Sequence, residues 1–421
     1  MSPGAAPGAG PIRFGTDGVR GPAGQWPLVP EGMQRLGRAI AAWAGEQAPS
    51  PVLVLGRDPR DSGPALAQAL TEGLTQGGAT VLDGGIMPTP AVSCAVAACG
   101  AAGGVVLTAS HNPWQDNGIK VLAPGGGKLL DPRPVERWLD QAPRPGGGRV
   151  QPLVDPLEPW LRAMPALDLS GLRVLFDGAH GATALAGPRV LEQRGATLVL
   201  RGCAPTGRNV NAGVGALHPP DDLLGCDLGI LLDGDGDRLL LIDPVHGPLD
   251  GDDLLWLLAG AESGPVVGTV MANAGLEAAL DGRLVRVPVG DRFVAQAMAE
   301  TGARVGGEPS GHLLIAGGPP TSCGLFTALS VLAATAGADG RPRLPLPVGG
   351  WTRWPQARAD VRREGLPAHL AAADAARGAG LRVLVRASGT EPVVRVMVEG
   401  PDRTQAQSWC SRVVAELEAA G

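Results

Sequence analysis

The sequence predicts an α/β protein, and three observations predict it. Strand-length apolar runs alternate with helix-length segments along most of the chain. A hydrophobic content of 44% supplies a large core. The 421 residues are too many for one ordinary core, so about three or four domains are expected. The alternation begins with residues 51–56 (PVLVLG), a buried strand, followed by a helix over 64–76 and a strand over 79–82. It continues with a helix over 90–99 leading to a strand at 104–107. A second strand-helix-strand set covers 173–176, 184–193 and 196–200. Residues 265–271 and 274–280, then 284–287 and 293–301, repeat the pattern, and an amphipathic helix over 403–419 ends the chain.

The breaks in this pattern divide the chain. A Pro/Gly-rich stretch at 142–154 reads as a linker, as does the turn-rich run at 243–251, and a third break lies at 337–350. The four resulting blocks are 1–150, 151–245, 246–345 and 346–421. Glycine and proline, at 65 and 40 residues, make a quarter of the chain, which is where low complexity begins. No collagen period or short repeat accompanies them, so they read as turns on a biased composition. The same bias leaves no tyrosine and only two lysines, Lys120 and Lys128.

With 35 basic against 41 acidic residues, a net charge of -6 offers no basic footprint, so nucleic acid is not an expected partner. Local phosphate binding stays open. Six cysteines without a CxxC pair or finger spacing fit reduced thiols and a cytoplasmic location. The start, MSPGAAPGAG, lacks the basic and apolar regions of a signal peptide. The uncharged stretch 84–115 is broken by Pro88, Pro90 and glycines, so a membrane span is not expected.

Four motifs are candidates for chemistry. The first, TASHNPWQDNGIK from Thr108 to Lys120, follows an apolar strand, and the carboxyl ends of strands are where open α/β sheets place ligands. It should present Ser110 to solvent, not bury it. A plain turn is the alternative, and a Ser-His-Asp hydrolase a weaker one, because adjacent Ser110 and His111 form no triad. Lys120 is conspicuous in an arginine-rich chain, since a lysine whose pKa is lowered can exchange protons at neutral pH where arginine cannot; a solvated surface lysine is the alternative. The second motif is Asp233-Gly234-Asp235-Gly236-Asp237-Arg238, between the runs LGILL and LLLI. Three carboxylates in so short a loop repel unless a hard divalent cation gathers them. A plain acidic turn is the alternative; an EF-hand does not fit, because its sixth and twelfth positions hold Arg238 and Pro244.

The third motif, GGEPSGH, offers Glu308 and Ser310 to sugar hydroxyls and His312 as a group that titrates near neutrality. The fourth, RASGTEPVVR, could cradle a phosphate between Arg386, Ser388, Gly389, Thr390 and Arg395. A Gly-rich turn and a simple hairpin are their respective alternatives.

In this order, one motif per block, the chain resembles the α-D-phosphohexomutase superfamily from end to end. The segments FGTDGVRG, VGDR and RASGTEPVVRVMVEG look most like the phosphoglucosamine mutases of bacteria. The resemblance implies four domains around a central cleft, three related α/β domains and a smaller α+β C-terminal one that closes over it. The blocks then become a phosphoserine domain, a metal-binding domain, a sugar-binding domain and a phosphate-binding domain. It implies that Ser110 is a phosphoserine, and that Asp233, Asp235 and Asp237, with a phosphoserine oxygen of Ser110, hold Mg2+. Glu308, Ser310 and His312 would bind substrate, and Arg386, Ser388, Gly389, Thr390 and Arg395 the phosphate that is not reacting. Arg20, His111, Lys120 and Arg238 would line the transfer site, with Lys120 handling the proton.

The implied reaction interconverts glucosamine 6-phosphate and glucosamine 1-phosphate through a hexose 1,6-bisphosphate, feeding UDP-N-acetylglucosamine synthesis. Its small-molecule partner is a hexosamine phosphate, and a homodimer is the assembly to test. A phosphomannomutase/phosphoglucomutase is the nearest alternative, with a metal-dependent phosphomonoesterase and a sugar-phosphate sensor further off. Pro309 stands where glutamine is expected for the amino-sugar enzymes, Cys323 where the family usually has aspartate, and Trp114 where tyrosine is usual.

Overall fold

The computed structural model describes residues 10–15, 17–141, 146–260, 263–362, 365–387 and 393–419. It divides into two compact units, Met1–Val270 with Val285–Pro347, and Met271–Leu284 with Val348–Gly421. Three mixed sheets belong to the first and one antiparallel sheet to the second.

The first sheet holds β1 (Val19–Pro22), β2 (Val52–Arg57), β3 (Thr80–Ile86), β4 (Gly103–Leu107), β5 (Asp116–Leu122) and β6 (Val150–Pro152), in the order β1-β5-β4-β2-β3-β6. β2, β3, β4 and β6 pair in parallel, and β5 runs antiparallel to both β4 and β1. β4, GGVVL, is buried at every position, as a parallel strand covered on both faces must be. The helices Gly63–Gln76 and Thr89–Cys99 lie where the pattern predicts them. A further helix, Pro30–Ala44, adds to the predicted set; Met33, Leu36, Ile40 and Trp43 supply its buried stripe. Within the expected linker at 142–154, Val150–Pro152 forms β6 and extends the first sheet alongside β3.

The second sheet holds β7 (Arg173–Asp177), β8 (Thr197–Arg201), β9 (Leu228–Leu232), β10 (Leu239–Asp243) and β11 (Gly247–Leu249), in the order β11-β10-β9-β7-β8. β7, β8 and β9 are parallel, while β10 pairs antiparallel with β9 and β11. The turn-rich run at 243–251 therefore contains a hairpin strand. The third sheet, β12 (Val266–Thr269), β13 (Leu284–Val287), β14 (Val305–Gly307) and β15 (Leu313–Ile315), repeats the plan on a smaller scale in the order β13-β12-β14-β15.

The fourth sheet differs. β18 (Val393–Glu399) lies between β16 (Gln356–Arg362) and β17 (Arg382–Ala387), all antiparallel. Val394, Val396 and Val398 point one way and pack on the helices Ala371–Gly378 and Arg403–Ala419. The helix Ala274–Ala279 joins this unit: buried Glu399 accepts from Ala274 N and pairs with Arg382, and Asn273 exchanges hydrogen bonds with the backbone of Trp354. All six cysteines are free thiols, and no helix among the described residues is long and apolar enough to cross a membrane.

Candidate active site

The Ser110 loop leaves the carboxyl end of β4 and returns as β5. Ser110 is not presented to solvent as expected: it is 1% exposed, with a left-handed φ of 52°. The reason is that the Asp233 loop, at the carboxyl end of β9, folds directly against it. Ser110 Oγ donates to Asp233 Oδ2 at 2.7 Å, and His111 Nδ1 lies 3.5 Å from the same hydroxyl. The approach requires glycine at 234, where a Cβ would stand 2.6 Å from Ser110 O. Gly236, with φ 74°, makes the turn between the second and third carboxylates. A left-handed serine costs of order 1–3 kcal/mol, so the surrounding bonds must hold it there.

Asp233, Asp235 and Asp237 are all buried, and each offers an oxygen within 4.8 Å of the others. Burial, followed by the charges of Asp237 and Asp235, pushes the Asp233 carboxyl up to about 7. Asp235 Oδ1 is buried without a hydrogen-bond partner among the described residues. Buried carboxylates with an orphaned oxygen are costly unless a cation joins them. An all-oxygen set fits a hard divalent ion, so the three aspartates are suited to hold one. Its chemistry there would be neutralisation of charge on transferring phosphoryl oxygens.

Lys120 Nζ lies 2.7 Å from both Asp235 Oδ2 and Asp237 Oδ2 and 3.3 Å from Asp17 Oδ2. Burial works to lower its pKa, but Asp17, Asp235 and Asp237 overcome burial and hold it well above the ordinary lysine value. The expectation of a depressed lysine is therefore corrected, because three carboxylates distant in sequence converge on one ammonium. His111 has the opposite balance: burial, then the Arg238 and Arg20 charges, push it down to about 4, so it is neutral at pH 7. His312 lies 3.5 Å from Asp237 and 3.2 Å from Asp291. Those carboxylates outweigh burial and the Lys128 charge and raise it to about 9.

The first unit thus brings Ser110, His111, Lys120, Arg20, Arg238, His312 and the three aspartates together. Arg20 pairs with Asp17, and Arg238 Nε lies 4.0 Å from Asp237. Glu308 is part of the same neighbourhood: Asp17, Lys128, Asp237, Arg238, Glu308 and His312 line one cavity of about 180 Å3. Glu308 Oε1 accepts from Gly290 N at 2.9 Å, and Ser310 Oγ lies 3.3 Å from Glu308 Oε2. Ser322 Oγ donates to Asp237 O at 2.5 Å and accepts from Leu313 N, fastening the acidic loop to the third sheet.

Two cations outside the four motifs belong to the site. Lys128 pairs with Asp17 and Asp291, so both lysines of the chain lie in this cluster. Its rarity in an arginine-rich chain marks Lys128 as much as it marks Lys120. Arg60, just past β2, likewise stands at a strand's carboxyl end, the expected place for a functional group.

In the second unit, Arg386 and Arg395 are strand residues set directly opposite each other on β17 and β18. Arg395 Nε lies 3.9 Å from Asp360 on β16, and Arg358, Arg386 and Arg395 line a cavity of about 540 Å3. Like charges directly opposed across strands are unfavourable, and Asp360, opposite Arg395 on β16, offsets part of that cost. Ser388, Gly389 and Thr390 lie outside the described residues.

Cys323, where aspartate was expected, caps the helix Gly324–Ala334 with its sulfur, 3.4 Å from Phe326 N, and accepts the Trp160 indole N–H at 3.3 Å. Burial pushes its thiol up to about 11, so this cap is uncharged.

Models of the phosphoglucomutase/phosphomannomutase α/β/α domain I, α/β/α domain III and C-terminal domain match residues 11–139, 250–343 and 353–416. A phosphoglucosamine mutase of Chromobacterium violaceum is 39% identical over 96% of this chain and 98% of its own. A phosphoglucomutase/phosphomannomutase family protein of Burkholderia thailandensis superposes with a TM-score of 0.78 over 96% of this chain and 97% of its own, at 22% identity. An Aspergillus fumigatus N-acetylphosphoglucosamine mutase, solved with GlcNAc-6P and magnesium, does so at 0.67 and 17% identity, over 98% of this chain and 96% of its own. The chain belongs to the phosphoglucomutase/phosphomannomutase family.

Proposed function

We propose that this protein is a phosphoglucosamine mutase that carries its phosphoryl group on Ser110 and uses Mg2+ at Asp233, Asp235 and Asp237. The observation that carries the reading is the Ser110 hydroxyl donating to Asp233 inside a buried three-carboxylate cluster. The amino-sugar assignment draws its support from relatives such as the Chromobacterium violaceum enzyme.

Phosphoryl transfer needs alignment and charge neutralisation more than covalent assistance. The O1 hydroxyl of glucosamine 6-phosphate attacks phosphorus, the bond from phosphorus to Ser110 Oγ breaks, and a 1,6-bisphosphate forms. After that intermediate turns, Ser110 Oγ attacks the 6-phosphate and glucosamine 1-phosphate leaves. Magnesium, when bound, neutralises the phosphoryl oxygens. Arg20 and Arg238 add fixed positive charge, and Lys120 and His312 hold protons beside the acidic loop. Asp233, which accepts from Ser110 Oγ at 2.7 Å, and neutral His111, 3.5 Å from the same hydroxyl, are the groups placed to accept one. Glu308 and Ser310 orient sugar hydroxyls, and Arg386 and Arg395, with Ser388, Gly389 and Thr390, bind the phosphate that is not reacting.

Pro309, where glutamine is expected for the amino-sugar enzymes by the resemblance, motivates a second reading, turnover of glucose or mannose phosphates. Intact-mass measurement after incubation with a hexose 1,6-bisphosphate should find one added phosphate on Ser110. Turnover should be highest with glucosamine 6-phosphate. Equal or faster turnover of glucose 6-phosphate would replace the amino-sugar assignment with that second reading, and phosphate on another residue would sink the mechanism.

A further inference from the structure

Arg60 is fully buried, touches none of the groups assigned to the chemistry except through the backbone of the Ser110 loop, and has every donor engaged. We propose that Arg60 is the positioning residue of the transfer site, the template on which the Ser110 loop is folded. The inference rests on the reading of Ser110 as the phosphoryl carrier. A guanidinium has five N–H donors in one plane, and here all five are used. Nε donates to Asp58 Oδ2 at 2.8 Å. Nη1 donates to Pro113 O and to Asp116 O at 2.9 Å, and Nη2 to Ser110 O at 3.0 Å and Asn112 O at 2.9 Å.

Four carbonyls from one loop are thus turned inward onto a single cation. Without it their dipoles would repel and the carbonyls would turn toward water. Asp58 completes the clasp from behind. The carboxylate oxygen that binds Arg60 also accepts from Thr108 Oγ1 at 2.7 Å, and Thr108 Oγ1 accepts from Ser110 N at 2.8 Å. From the second sheet's side, Asn211 Nδ2 donates to Ser110 O at 2.8 Å and Asn112 O at 3.0 Å. Both backbone polar groups of Ser110 are therefore fixed. Its unfavourable left-handed φ is maintained, and its hydroxyl stays directed at Asp233.

Lysine could not replace this arrangement, since an ammonium has three donors and no plane. Because Arg60 does not reach the reacting atoms, its removal should lower kcat and leave KM nearly unchanged. A purely structural role would lower thermal stability without that split.

The test measures Tm, kcat, KM for glucosamine 6-phosphate and the single-turnover rate of phosphate loss from phospho-Ser110 in wild type, Arg60→Lys and Asn211→Ala. Misplacing reacting atoms by an ångström costs about 100-fold in rate, which is the fall expected in kcat and in the single-turnover rate of Arg60→Lys. KM should stay within about twofold. Asn211→Ala, which leaves the guanidinium in place, should lose about tenfold in both rates with the fold intact. Folded Arg60→Lys with wild-type kcat, or a loss confined to KM, overturns the proposal. If Arg60→Lys does not fold, unchanged kcat in Asn211→Ala overturns it. Wild type that never carries phosphate on Ser110 removes the premise itself, an outcome distinct from active wild type with indifferent variants.

Discussion

The Ser110 site and the arginine face of the fourth sheet treat charge in opposite ways. Around Ser110, charged groups are buried and paired in chains: Lys120 with Asp17, Asp235 and Asp237, Lys128 with Asp17 and Asp291, His312 with Asp237 and Asp291. On the fourth sheet Arg386 is exposed and set opposite Arg395, which is 41% exposed. Burial fixes geometry and strengthens electrostatics at the atoms that react. An exposed arginine pair instead suits the capture and release of an anion that the proposed cycle requires. In the proposed cycle the transferring phosphoryl group needs the first arrangement, and the phosphate that exchanges ends needs the second.

The largest effect should come from breaking the buried side. Asp235→Asn removes a carboxylate charge from the acidic loop and leaves the Lys120 ammonium with one partner fewer. We expect a fall in kcat of about 10²–10³-fold and a shift of the Mg2+ requirement to higher concentration. A magnesium titration of activity checks both, and an unchanged titration midpoint would exclude Asp235 as a ligand.

The fourth sheet should respond differently. Arg386→Ala and Arg395→Ala should each raise KM about 10–100-fold while kcat stays within about threefold, as expected when an interaction binds ground and transition states alike. In ligand-free protein, Arg386→Ala, which relieves the opposed charge and leaves the Arg395–Asp360 pair in place, should stabilise by about 0.2–1 kcal/mol. Inorganic phosphate should raise the Tm of wild type and not that of the double variant. A kcat effect as large as that of Asp235→Asn would erase the distinction between the two regions.

The smallest effect on turnover should be that of Cys323→Ala, inside the first unit but away from its charge chains. Trp160 Nε1 and Phe326 N lose their sulfur acceptor, at a cost of about 2 kcal/mol. Thermal unfolding should show the loss while kcat at 25 °C is unchanged.

The readability of these regions in sequence follows the range of the interactions that make them. Strands such as β4 and β7, and helices such as Gly63–Gln76, are local apolar patterns, and the predicted spans lie within a few residues of the observed ones. The Asp233 loop is legible because closely spaced carboxylates repel one another, and a bound cation relieves that repulsion. The helix Pro30–Ala44 is hard to see although its stripe is regular, since glycines and arginines interrupt its apolar run. β6 is hidden because three exposed residues in a Pro/Gly-rich stretch acquire strand character only by pairing with β3.

By itself, then, the sequence determined the α/β class, the order of the motifs and the identity of the nucleophile and metal-loop candidates, all of which depend on neighbours within a few residues. Tertiary structure alone decided that Ser110 is buried, that Lys120 stays charged, and that Arg60, 50 to 56 residues upstream of the carbonyls it binds, shapes the loop. A pKa depends on every charge within several ångströms, and a loop's conformation on every donor that reaches its carbonyls. Those neighbours come from three sheets, and folding is what brings them within range.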